Sequence, residues 1–218
     1  MAALCAGTAF SASAATTIYD NSQHDLLTRF SPGIAEAGDQ IVLADPGARL
    51  LTKFSFEYYG LNSVTPGSFS GSINARVCFY LNDGPLFNGY ATPGTMFYDS
   101  GLFAVGNPTT RNTFVFTAGA DFPAGGLFVP GNEMTWSVQF SGMGANDEVG
   151  VDIYNPVVVG QNYPDYWQNS GGGWSLMTNS VPMNFAAYME AIPEPSGVAL
   201  TVMGLGILAV VRWRRNAA

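Results

Sequence analysis

The sequence predicts an all-β chain, an antiparallel two-sheet sandwich of jelly-roll-like form, followed by a single C-terminal transmembrane helix. Three observations carry this. Glycine (26) and proline (13) are abundant and aromatic residues make up 13%, while charged residues are only 11%, too few to supply the polar faces of amphipathic helices. Several segments alternate apolar and polar residues with period two, as half-buried strands do. An uncharged stretch near the C-terminus ends in arginines. At 218 residues the chain fits one core plus processing segments.

The strands follow in order. From Leu50 to Tyr59 one face carries Phe54, Phe56 and Tyr58, and the other Lys53, Ser55 and Glu57. Ile73 to Leu81 repeats the pattern, with Val77 and Phe79 on one face and Arg76, Cys78 and Tyr80 on the other; Asn82-Asp83-Gly84-Pro85 then supplies a turn. Trp136, Val138 and Phe140 alternate with Ser137 and Gln139, and Val149, Val151 and Ile153 with Gly150 and Asp152. Thr16 to Tyr19, Gln40 to Leu43, Met96 to Val105, Thr113 to Thr117 and Asn184 to Met189 complete a set of eight or nine strands. No fixed-period repeat is present, which argues against a propeller or solenoid.

The ends read as addresses. Residues 1–14 form a signal peptide, with Ala12-Ser13-Ala14 matching the small-x-small pattern that signal peptidase accepts and cleavage after Ala14. No Lys or Arg precedes its apolar stretch, which points to a translation start upstream of Met1. The exported domain is 15–191. From 192 to 218 runs a tail: Pro193-Glu194-Pro195, whose prolines are expected to break the preceding strand, then the uncharged residues 197–211, then Arg212, Arg214 and Arg215. Fifteen helical residues span roughly 22 Å, short of the roughly 30 Å hydrocarbon core, a gap that arginine snorkelling and bilayer thinning close. Positive charge marks the cytoplasmic side, so the domain would lie outside.

This tail resembles a PEP-CTERM sorting domain: Pro193-Glu194-Pro195, a glycine-bearing apolar helix with Gly197, Gly204 and Gly206, and a terminal arginine cluster. The resemblance covers about 27 residues. It implies recognition by an exosortase of a Gram-negative bacterium that makes extracellular polysaccharide, with membrane anchoring before processing and a final location at the cell surface or in the biofilm matrix.

For the domain itself, composition excludes more than it assigns. Before Ile192 there are 15 acidic and 5 basic residues, and the five cations are scattered, so no nucleic-acid surface is expected. The single histidine, His24, has no nucleophile beside it in sequence, and no His/Cys set suits zinc or iron. No catalytic residue and no cofactor is assigned. Asp147, Glu148 and Asp152, near Asn146, group hard oxygen ligands and make weak calcium candidates. Cys78 is expected to be a half-buried, unreactive side chain. The alternative of a carbohydrate-active hydrolase on a jelly roll would use Glu57 or Glu133, with Asp152. Tyr163, Tyr166, Trp167 and Trp174, set among amides, Asp165 and Gly171 to Gly173, form the expected exposed, carbohydrate-binding cluster, because sugars stack apolar faces on rings and offer hydroxyls to amides and carboxylates.

Overall fold

The computed structural model describes residues 14–193. Residues 1–13 of the leader, Glu194 and Pro195, the apolar segment 197–211 and Arg212, Arg214 and Arg215 lie outside the described residues. Within them there is no helix, and hence none long and apolar enough to cross a membrane.

The strands in chain order begin with β1 (Thr16–Asn21), β2 (Asp25–Phe30), β3 (Glu36–Val42), β4 (Ala48–Asn62) and β5 (Asn74–Tyr80). A small hairpin, β6 (Leu86–Phe87) and β7 (Tyr90–Ala91), precedes β8 (Met96–Asp99), β9 (Phe103–Ala104), β10 (Thr109–Thr117) and β11 (Leu127–Phe128). Then come β12 (Glu133–Ser141), β13 (Asp147–Tyr154), β14 (Gln161–Asn162), β15 (Tyr166–Asn169), β16 (Trp174–Met177) and β17 (Ala187–Pro193).

Two large antiparallel sheets result. The first is organised on the long β4: β10 and β11 pair with one edge, while β13 and β17 pair in succession with the other and are flanked in turn by β2 and β1. The second runs β16-β15-β3-β12-β5-β8, with β14 extending the β15 edge of β3 and β9 the β8 edge of β5. The chain crosses between sheets repeatedly, so each strand's inner face meets residues distant in sequence.

The alternating apolar sets meet between the sheets. Phe54 lies edge-on to Phe79 and Trp136, with ring centroids 5.0 and 5.3 Å apart, and Trp136 lies edge-on to Phe185 at 5.7 Å. All four are fully buried, each ring contributing about 1.5–3 kcal/mol. Gly150 is required where β13 passes β2: a methyl there would collide with the Phe30 carbonyl oxygen.

The boundaries correct three expectations. Met96 to Val105 is two strands, broken around Gly101, which has φ 66°. Segment 162–174 is not one exposed stretch, since β15 runs through it and buries Tyr166 and Trp167. The last strand, expected from Asn184 to Met189, instead runs from Ala187 to Pro193, with Ile192 opposite Leu50 and Pro193 opposite Ala48. Pro193 lies past the last β1 partner, Thr16 opposite Ala191, and after a register shift on the β4 side, a position where a proline is tolerated.

Candidate functional site

The outer face of the second sheet carries a groove of about 600 Å³ at the end where β3 and β12 meet β14 and β15. Its wall opposite β15 is the β6–β7 hairpin. Asn88 and Gly89 have φ 52° and 90°, the doubly left-handed turn that an Asn-Gly pair favours and that suits the twist of a tight hairpin. This turn presents Tyr90, which is 61% exposed, at the groove rim.

The floor is a relay of hydrogen bonds. Trp167, 1% exposed, donates its indole N–H to Gln40 Oε1 at 2.9 Å, and Gln40 Nε2 donates to Glu133. Because the amide is held at both ends, the Glu133 carboxylate is fixed on the groove side. Tyr163, 44% exposed, stands beside it; partial burial, together with the Glu133 carboxylate, raises its hydroxyl above the ordinary tyrosine range. Asp165 and Asn82 complete the polar lining. Pro164, between Tyr163 and Asp165, accepts the Met183 N–H through its carbonyl at 2.9 Å, which anchors this turn to the last connection.

The four aromatics expected to act together are divided by the pleat. Tyr166 and Trp167 are neighbours on β15 and so point to opposite faces. Tyr166 enters the core against Phe30 and Phe185, at 4.8 and 6.1 Å, and is buried. Trp167 lies on the groove side as its covered floor. Trp174, on β16, is half-buried and meets Tyr80 edge-on at 5.5 Å. Tyr163 alone of the four offers an exposed ring, so the expected single exposed cluster is corrected to Tyr163 and the covered Trp167 lining one groove, joined by Tyr90. Sequence reasoning missed Tyr90, Gln40 and Asn82; the Asn-Gly pair before Tyr90 was a usable signal for the hairpin.

The other acidic residues go elsewhere. Glu57 is on the outer face of the first sheet, 2.5 Å from Arg111 Nε, with Arg111 Nη2 donating to it at 2.7 Å and the Tyr154 hydroxyl at 2.7 Å. Glu57 and Glu133 therefore occupy outer faces of different sheets and share no cleft. Asp152 is fully buried, 2.9 Å from Arg29 Nε, but off the hydrogen-bonding axis, and neither of its oxygens has an aligned donor among the described residues. Burial pushes its carboxyl up to about 7, against the opposing pull of Arg29.

The calcium candidates separate likewise. Asp147 caps the β4–β5 connection, accepting from the backbone N–H groups of Ser70, Gly71 and Gly144 at 2.8–2.9 Å and from Asn62 Nδ2 at 2.7 Å. These donors hold its carboxyl well below the usual range against desolvation, the largest influence on it. Glu148 instead accepts the Tyr59 hydroxyl at 2.5 Å. Among the described residues no three His, Cys, Asp or Glu side chains are grouped to hold a metal ion. His24 is exposed, and its neighbour Asp25 is taken by Arg29 at 3.0 Å. Cys78 is buried rather than half-buried, and burial, with Glu36 adding, pushes its thiol up to about 12.

No family model, no curated protein and no solved structure matches this chain.

Proposed function

We propose that the chain is an exported cell-surface or extracellular-matrix protein, sorted through a PEP-CTERM tail, whose jelly-roll-like sandwich grips polysaccharide in the groove beside Tyr163. The observation that carries the binding assignment is the pairing of two accessible rings, Tyr90 and Tyr163, with the amide and carboxylate held together at Gln40 and Glu133 and the carboxylate of Asp165 beside them. Rings take the apolar face of a pyranose, and the polar array takes its hydroxyls. No bond-breaking step is assigned, because Glu57 and Glu133 do not face one sugar ring.

Binding to immobilised extracellular polysaccharides, measured with the secreted domain and with Tyr90→Ala and Tyr163→Ala variants, tests this. Each substitution is expected to weaken binding by about tenfold, the worth of one stacked ring, with the thermal midpoint little changed because both rings are exposed. Retention of every glycan by the double variant would remove the groove from the assignment. The sorting half has its own test in a host carrying an exosortase. The intact chain is expected to lose its tail and reach the surface, while the Pro193→Ala, Glu194→Ala, Pro195→Ala variant stays in the membrane. Identical behaviour of the two would overturn it.

A further inference from the structure

We infer that the groove selects a glycan bearing protonated amines, a polymer or oligomer of an amino sugar, over neutral and anionic chains. This deepens the polysaccharide-binding assignment above and rests on it. Two carboxylates, Glu133 and Asp165, line the groove, and no cation does. All five cations of the described domain are committed elsewhere. Arg29 faces Asp25 and Asp152, Arg76 pairs with Asp99, and Arg111 with Glu57. Arg49 donates to Asn132, and Lys53 lies over the Tyr188 ring at 5.3 Å.

The two carboxylates differ in what they lack. Glu133 accepts from Gln40 and has the Tyr163 hydroxyl beside it, while Asp165 receives no side-chain or backbone donor to its carboxylate among the described residues. A sugar ring laid on Tyr163 strips water from both, and a hydroxyl returns only a neutral hydrogen bond. An ammonium group returns a charge-assisted one, roughly twice as strong. The same ammonium, placed between Tyr90 and Tyr163, meets the negative faces of two rings, the arrangement that favours cations. A uronic acid would bring a third carboxylate into a site whose lining holds no cation to pair it.

The test uses matched hexamers of glucosamine and N-acetylglucosamine, which share a ring and differ in charge, with a polyuronate oligomer and a neutral glucan hexamer beside them. Titration calorimetry is run on the secreted domain at mildly acidic pH, where the amines are protonated. The glucosamine hexamer is expected to bind roughly tenfold more tightly than its acetylated counterpart. That preference should vanish in Glu133→Gln/Asp165→Asn and persist in Asp121→Asn/Glu190→Gln, which removes the same charge from the turn after β10 and from β17, outside the groove lining. Equal binding of the two hexamers, tighter binding of the neutral glucan or polyuronate, or a preference that survives the groove variant or disappears in the charge-matched one overturns the inference while glycan binding through the groove stands on its own variants. Failure of all four oligomers to bind removes both.

Discussion

Glu57→Ala is expected to lower unfolding stability by about 3 kcal/mol, read as a shift in urea midpoint at constant slope. The carboxylate is buried and holds two partners, the Arg111 guanidinium and the Tyr154 hydroxyl, itself buried. Removing it leaves the phenol without an acceptor and Arg111 without its counter-charge, the situation in which a broken buried pair costs most. The exposure of Arg111, near half, places the cost at the low end of that range, since water can solvate the freed cation. Replacing the pair together, as Glu57→Met with Arg111→Leu, should recover most of the loss. An unchanged midpoint in the single variant would mean that Glu57 is not structural, and would reopen a chemical role for the first sheet's outer face.

Asp152→Asn should behave oppositely, stabilising the domain and doing so only above acidic pH. An unfolded aspartate titrates near 3.9, whereas in the fold Asp152 is driven to about 7 by burial. Between these values the folded molecule retains a proton that the unfolded chain has released. The wild type is therefore favoured fully below about pH 4 and loses that contribution as pH rises through 7. Asparagine cannot ionise and still offers Arg29 an oxygen. The stability gap between variant and wild type should grow from near zero at pH 4 to roughly 4 kcal/mol above pH 7. Asp39, buried in the core and raised in the same direction by burial, and Asp99, lowered to about 2 chiefly by its hydrogen bond from Arg76, are present in both proteins and cancel in the difference. A gap that stays flat with pH would show that Arg29 already neutralises the carboxylate.

The inner faces were legible because the signal is local. Period-two alternation puts Phe54 with Phe56, Val77 with Phe79 and Trp136 with Val138, whatever strands they pair with, and each pair is buried. β2 was not legible: Leu26 and Leu27 are adjacent, Leu27 turns to φ 57°, and both are exposed, so no alternation announces the strand. In the 162–174 segment the glycines and amides suggested exposed rings, yet Tyr166 and Trp167 are both covered, one by the core and one on the sheet's outer side, and a residue pair buried on opposite faces carries no alternation either. The division of the carboxylates was further out of reach. Whether Glu57 and Glu133 share a cleft depends on which sheet each strand joins, and successive strands here change sheets, a property of long-range pairing that no window of neighbouring residues contains.

The position of β17 decides how the domain bears load. It is an interior strand, hydrogen-bonded to β1 on one side and β4 on the other, and its last residue is Pro193. Tension entering the domain at that residue runs along the strand and is shared between two ladders that must shear together, where an edge strand would peel away one bond at a time. Thr16 stands opposite Ala191, so the N-terminal strand acts as a clamp on the one being pulled. The groove beside Tyr163 lies on the outer face of the other sheet, so load applied along β17 does not run through the strands that line it.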